Sequence, residues 1–366
     1  MLLLDLSKAF DSVSHDILLQ KCNLLGIDGF WFRDYLKDRL QSVKLQSVIS
    51  SPRKICFGVP QGSILGPILF LIFINDMSVT LGKHFIIQYA DDLQVIIPGV
   101  INELYDLIQR GEEALREAKE YFQKNGLSVN ENKTQCIFIG SRQLISLIPD
   151  DTKINFGETA IVPSHSVKNL GVYMDHFLLY DKHIDHITKK VNGILMYINR
   201  IKHMLDRPTR LTLVQSLALS VINYCSRVWG NTTKEQLQRV QRSQNFAAKI
   251  VYGGLKKFDH VSPVFKELKW LNIENMITYD ICVFMFKILN SLLPSWLFSF
   301  LSVREVNNRS TRQADDLFFK RNKTDIGARA LAIKGPKLWN SLPQNIKDSS
   351  SEHAFKEKMK NYLLGI

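Results

Sequence analysis

The sequence predicts an α+β chain, sheet-forming in its first half and helical in its second, and three observations carry that reading. The apolar run Met1 to Leu4 ends on Asp5, as a strand inside a sheet does when its terminal residue reaches the surface. Phe85-Ile86-Ile87 and Leu93 to Ile97 flank Tyr89-Ala90-Asp91-Asp92, a pattern for a tight apolar hairpin with two carboxylates at its apex. From Lys182 onward Ile184, Ile187, Val191, Ile194, Leu195, Ile198 and Ile201 recur at helical spacing.

In chain order, the Asp5 strand is followed by a helix from Ser14 to Leu25, closed by Gly26, and a shorter one over Phe30 to Arg39. Ser42 to Val48 and Lys54 to Phe57 alternate around Ser50-Ser51-Pro52 and predict a hairpin turning there. The turn-rich loop Gly58-Val59-Pro60-Gln61-Gly62-Ser63 opens into an apolar helix, Ile64 to Met77. After the Asp91 hairpin an amphipathic helix runs from Asn102 to Asn125, with Leu104, Leu107, Ile108, Leu115 and Phe122 inward, and Gly126 ends it. Leu127 to Val129, Gln135 to Ile139, Ile154 to Phe156, Thr159 to Val162 and Lys168 to Tyr173 read as strands. Pro208 starts a helix reaching Trp229-Gly230, and Thr233-Lys234-Glu235-Gln236 fits a capping box for another through Val251. Residues 262 to 301, Ala328 to Leu342 and Ala354 to Leu364 are helical in pattern, whereas Asn307 to Lys323 reads as a polar, basic loop.

At 366 residues the chain is longer than one core usually serves. Its longest apolar run, Ile64 to Ile74, falls short of the roughly 20 residues that span a bilayer. No membrane partner is therefore expected, and Met1-Leu2-Leu3-Leu4, meeting Asp5 without a basic leader, predicts no signal peptide. Five dispersed cysteines suit a reducing intracellular compartment, nucleus or cytoplasm. The net charge of +12 is unevenly placed: residues 1 to 100 hold nine basic and nine acidic residues, whereas Lys182 to Lys257 hold 14 basic residues against Asp185, Asp206 and Glu235. Such a block is either a solvated face or a surface for a polyanion, most simply nucleic acid. His183 and His186 with Asp185 form the nearest thing to a metal-ligand cluster, and lysines around them favour a polar helix face instead.

The chemistry centres on the acids. Side chains alternate along a strand, so Asp91 and Asp92 cannot share one face. One Asp binds a hard cation weakly, so a second acid must come from elsewhere, and Asp5 at its strand end is the candidate. Asp150-Asp151 and Asp315-Asp316 lack the apolar frame and read as solvated turns. Glycines at 58 and 62 let backbone approach a ligand, although a plain turn has the same composition.

With Asp5, the Gly58 loop and Asp91 in that order, the chain resembles the reverse transcriptases of non-LTR retrotransposons of the jockey-like LINE type. Leu4-Asp5-Leu6-Ser7-Lys8-Ala9-Phe10-Asp11 is similar to motif A, Gly58 to Ser63 to motif B, Tyr89-Ala90-Asp91-Asp92 to motif C, and Gly126 to Lys133 to motif D. Asn169-Leu170-Gly171-Val172 is similar to the primer grip, and Gly335-Pro336-Lys337-Leu338-Trp339-Asn340-Ser341-Leu342-Pro343 to a segment downstream of these polymerases. The resemblance implies a palm, an antiparallel sheet with helices, over residues 1–175. A basic helical thumb follows over 176–257, and a mostly helical carboxy-terminal region over 258–366.

It also implies RNA-directed DNA polymerisation with two Mg²⁺ ions, or Mn²⁺ in their place, held by Asp5 and Asp91 with Asp92 as third acid. Lys133 would assist the departing pyrophosphate, or be a surface lysine. Phe10 would exclude a ribose 2′-OH, or be a core aromatic. Pro60, Gln61 and Gly62 would line the deoxynucleoside triphosphate, and Asn169, Leu170, Gly171, Lys189 and Lys190 would hold the RNA template and DNA primer, with no small-molecule cofactor. The fingers expected before motif A, and an endonuclease, are not recognised in this sequence. An inert nucleic-acid-binding remnant is therefore the alternative, and an RNA-templated RNA polymerase or intron maturase a third reading that Ala90 and Phe10 fit less well.

Overall fold

A computed structural model describes residues 1–256, 259–303, 317–318 and 324–365. Lys257, Asp315-Asp316 and most of the Asn307 to Lys323 stretch lie outside the described residues. The chain divides into two compact units, Met1–Val167 and Lys168–Ile366.

The first unit is built on a four-stranded sheet in the order Gln135–Cys136, Leu2–Leu4, Asp92–Ile96, Phe85–Tyr89. Every pairing is antiparallel: Leu2 faces Cys136 on one side and Val95 on the other, and Tyr89 pairs with Asp92 across the hairpin. Leu2–Leu4 is thus an interior strand, which is why Leu2 and Leu4 are buried while the chain beyond them emerges. The sheet shares a core with the helices Leu65–Ile74 and Leu104–Lys124, through Leu69, Phe70, Phe73, Leu115 and Phe122. Pro67 is tolerated because it lies in the first helical turn, where no i−4 partner is lost. Phe85–Tyr89 forms an edge of this sheet.

The hairpin between the second helix and the glycine loop turns elsewhere than expected. Leu40–Gln41 pairs with Arg53–Lys54 and Lys44–Leu45 with Val48–Ile49, so the tip is Gln46-Ser47, with Gln46 at φ 53°. Ser50-Ser51-Pro52 lies in the returning arm instead, where Ser50 exchanges hydrogen bonds with Val43. Proline lacks the N–H a ladder needs, and it falls in the gap between the two paired segments.

The second unit is helical around Trp229, Ile184, Val191, Leu195, Val251, Ile281 and Phe355. The helix Asp181–Ile201 buries Ile184, Ile187, Val191, Leu195 and Ile198 as its spacing requires. His183, assigned to the polar face, is instead 2% exposed. It stands four residues before Ile187, on the same side of the helix. Thr233 caps Lys234–Tyr252 by accepting from the Gln236 N–H. The reciprocal half of a capping box is not made, because the Gln236 side chain is turned away: its carbonyl accepts from Arg239 and its NH₂ donates to Asp181. The predicted Pro208 helix is interrupted: Arg207–Leu213 passes through a π-helical turn, Val214–Leu219, into Ser220–Asn223. Leu317–Phe318, within the predicted loop, pairs with Ser302–Val303. Farther on, Phe286, Phe355 and Trp339 stack at centroid distances of 4.5 and 5.8 Å. No described helix is long and apolar enough to cross a membrane.

Candidate active site

The strand register brings the motif acids to one end of the first unit's sheet. Leu4 faces Leu93, so continuing the register by one residue sets Asp5 opposite Asp92. Asp5 ends its ladder there: its carbonyl accepts from Asn130 N–H at 2.8 Å, and Leu6–Ser7 pairs with Ser128–Val129 instead. That exchange of partners carries the motif D segment to the site, and the Lys133 ammonium lies 3.6 Å from the Asp5 carboxylate.

Tyr89-Ala90-Asp91-Asp92 is a two-residue hairpin turn with Ala90 at φ 50°. A left-handed first turn residue matches the twist of the flanking strands, but a Cβ makes that conformation costly by roughly 1–2 kcal/mol. The carboxylates come near enough to disturb each other. Partial burial of its carboxyl, and then the charges of Asp91 and Asp5, push Asp92 above the usual carboxylate range. Among the described residues no group of three or more His, Cys, Asp or Glu side chains is placed to hold a metal ion. A Mg²⁺ ion does not require one, because it takes one or two carboxylates and completes its shell with water and phosphate oxygens.

The glycine loop is locked against the motif A segment. Gly58 N–H donates to Val13 O at 2.7 Å, Val59 N–H to Phe10 O at 2.9 Å, and the His15 ring meets Gly58 O at 2.8 Å. Gly58 has φ 88°, and a Cβ there would meet Asp11 O at 2.9 Å, so both conformation and contact demand glycine. Gln61 donates to Asp11 at 2.8 Å. Gly62, at φ 81°, has open space where a Cβ would be, and the Ser63 hydroxyl bridges Pro60 O and Gly66 N–H. The Phe10 ring, half-buried, stacks on Phe70 at 4.5 Å.

Beside this loop opens a cleft of about 680 Å³, lined by Lys8, Asp11, His15, Arg39 and Gln61 among others. Lys8, His15 and Arg39 were missed from sequence. Nothing local marks them, since what places them together is the docking of the loop on residues 10–15.

The remaining predicted site residues belong to the second unit. Asn169 ends a strand, and Leu170-Gly171 is the turn before Val172–Asp175, with φ 43° and 84°. The continuous strand expected over Lys168 to Tyr173 is therefore a hairpin turn. Tyr224 OH donates to Leu170 O at 2.8 Å, and a Cβ on Gly171 would meet the Tyr224 ring at 3.3 Å. Lys189 and Lys190 are exposed on the Asp181–Ile201 helix.

Residues 1–174 match the family model described as reverse transcriptase (RNA-dependent DNA polymerase). The chain is similar to a Drosophila melanogaster protein named "Probable RNA-directed DNA polymerase from transposon X-element", 26% identical over 263 residues, covering 69% of this chain and 28% of that relative. The corresponding protein from transposon BS of the same species is 27% identical over 263 residues, 68% of this chain and 28% of the relative. The RNA-directed DNA polymerase from mobile element jockey of Drosophila funebris is 27% identical over 251 residues, 65% of this chain and 26% of the relative. The chain thus spans less than a third of the length of these relatives.

Proposed function

We propose, from the match of residues 1–174 to the family model described as reverse transcriptase (RNA-dependent DNA polymerase), that the chain carries the nucleotidyl-transfer site of a non-LTR retrotransposon polymerase, which copies an RNA template onto a DNA primer. In this reading residues 1–175 are the palm, 176–257 the thumb and 258–366 a carboxy-terminal region. The observation that supports it is the strand register that sets Asp5 opposite Asp92 beside the Asp91 turn, with Asp92 raised by partial burial and then by the charges of Asp91 and Asp5.

Asp5 and Asp91 would hold the divalent ions, with Asp92 as the weaker third acid. Bound there, a pair of Mg²⁺ ions supplies Lewis-acid activation of the primer hydroxyl and charge stabilisation at the leaving pyrophosphate. The chain's own residues do the positioning. Lys133, already beside Asp5, offers positive charge to the departing phosphates. Phe10, fixed by Phe70, offers a ring edge against the sugar, and the Pro60-Gln61-Gly62 backbone flanks the base. Asn169, Leu170 and Gly171 would support the primer, and Lys189 and Lys190 the backbone of the duplex.

The test is primer extension on poly(rA)/oligo(dT) with Mg²⁺ or Mn²⁺, run on this chain and on the chain joined to an upstream fingers region. Asp91→Asn should lower the rate by about 10³-fold or more, the equivalent of the several kcal/mol that metal-ion stabilisation contributes. Equal extension by wild type and variant would remove Asp91 from the reaction. Strand binding without any Asp91-dependent extension in either form would leave only the nucleic-acid-binding role.

A further inference from the structure

The turn that carries Lys133 is held by backbone at both ends. Ser128–Val129 before it pairs with Leu6–Ser7, Gln135–Cys136 after it pairs with Leu2 and Leu3, and the Asn130 N–H donates to Asp5 O at 2.8 Å. Between these points Glu131–Lys133 is a single 3₁₀ turn, closed by the Lys133 and Thr134 N–H groups on Asn130 O at 3.1 and 3.0 Å. A turn this short has little stability of its own.

Glu131 ties it to the rest of the unit. Its carboxylate accepts from the Lys119 ammonium at 2.5 Å, and Lys119, on the helix Leu104–Lys124, also lies over the Phe156 ring at 5.7 Å. Beneath the pair is the turn between Ile154–Phe156 and Thr159–Ile161. Gly157 there has φ 62°, and a Cβ on it would come within 2.9 Å of both Glu131 carboxylate oxygens and of the Lys119 ammonium. The ion pair thus occupies the space a side chain at 157 would need. Its two side chains are only 32% and 23% exposed. The contact of Lys133 with Asp5 is looser, at 3.6 Å with the lysine side chain 70% exposed. An ion pair that open contributes too little to hold a long side chain in one place, so the position of Lys133 is decided by the backbone beneath it.

We propose that the Lys119–Glu131 ion pair, seated over Gly157, is the positioning element that keeps Lys133 beside Asp5, and that it acts on the reaction only through Lys133. This rests on the reading of Asp5 and Lys133 as parts of the polymerase site. Glu131 fixes the turn on which Lys133 stands, and displacing a reacting group by about 1 Å can cost on the order of 10²-fold in rate.

Zero-length carbodiimide crosslinking of the full chain in chelator, read by mass spectrometry, reports the contact without any catalysis. The wild type should give an Asp5–Lys133 crosslink. Glu131→Gln, and independently Lys119→Met, which keeps an apolar stem over Phe156, should each lower its yield by about threefold, the equivalent of a modest ion pair. The crosslink between Lys83 and Glu117, an ion pair at 2.6 Å on the same helix as Lys119, should be unchanged and reports that the variants keep their fold. In the form of the chain that extends a primer with Asp91 dependence, Glu131→Gln should lower kcat by about tenfold with little change in the KM for the nucleotide, because the interaction lost belongs to the transition state. In a Lys133→Ala background the same substitution should cost nothing further, whereas a merely structural role would lower the rate by the same factor in both backgrounds. No Asp5–Lys133 crosslink in the wild type, an unchanged yield in both variants, a full rate for Lys133→Ala, or losses that add to those of Lys133→Ala would each overturn the proposal. Absence of Asp91-dependent extension would refute the polymerase reading instead, and the crosslink would still decide the anchor.

Discussion

The two units place their titratable groups in opposite ways. In the first, Asp5, Asp91 and Asp92 stand at strand ends where solvent reaches them, and apolar side chains such as Leu24, Ile64 and Val79 are left more than four-fifths exposed, at 86%, 89% and 84%. In the second, helices close over His183, whose two ring nitrogens have no hydrogen-bond partner. Burial pushes its pKa down to about 4, with the neighbouring His186 adding to the effect. An acid at a strand terminus is visible to a reader of sequence because the strand stops there. A histidine inside a helix bundle is visible only through the phase of the whole helix.

The largest break in this contrast would come from the core of the second unit. Trp229 is fully buried, and its indole donates to Tyr224 O at 2.9 Å. Trp229→Ala should destabilise the protein by about 3–5 kcal/mol through cavity and transfer terms, read as a shifted denaturant midpoint. An unshifted midpoint would mean the second unit does not depend on that core. The Asp92 titration in the first unit, followed by NMR, should stay where it was.

Acid should separate the units next. His183 takes up a proton more readily unfolded than folded, so its contribution to the second unit's stability is whole above pH 6.5 and falls as pH drops toward about 4. Asp92 has the opposite sign: its raised folded pKa means the first unit gains on acidification and loses as pH rises through that value. His183→Leu should flatten the acid limb of the second unit alone. A limb of the same steepness in the variant would assign acid sensitivity to another group.

Salt gives a smaller separation. Lys189 and Lys190 are exposed, so replacing both by Ala should reduce the slope of log K against log[salt] for duplex binding by roughly 1.8, about 0.9 per phosphate contact. An unchanged slope would make them solubilising surface.

The smallest effect compares two turns. Ala90 and Leu170 both hold left-handed backbone, at φ 50° and 43°. Glycine at either should relieve strain by about 1–2 kcal/mol and return part of it as unfolded-state entropy, a net gain near 0.5 kcal/mol. If Ala90→Gly stabilises the fold but lowers primer extension, the turn at Asp91 is held strained for its chemistry.

Much of the first unit was legible because its signals are local. Met1 to Leu4 ending on Asp5 and the apolar frame of Asp91 each state their element within a few residues. The lock between Gly58 and Asp11 was not legible, because the glycine is required by a backbone 47 positions earlier in the sequence. The misplaced hairpin tip has a related cause: Ser50-Ser51-Pro52 has turn composition, but Gln46 accepts the positive φ and pairing on both sides decides. His183 was recoverable, since it lies one helical turn from Tyr180 and from Ile187, both buried.

The open edge of the first unit's sheet bears on how the molecule behaves in bulk. Phe85, Ile87 and Tyr89 turn alternate side chains outward, 51%, 41% and 65% exposed, beside a row of backbone groups free to pair. Such an edge invites strand addition by another chain, and what opposes it is mutual repulsion between molecules of charge +12. That repulsion fades within about 8–10 Å at physiological ionic strength. A concentrated solution is therefore held dispersed by its own positive charge, and concentrated salt removes that protection against clumping.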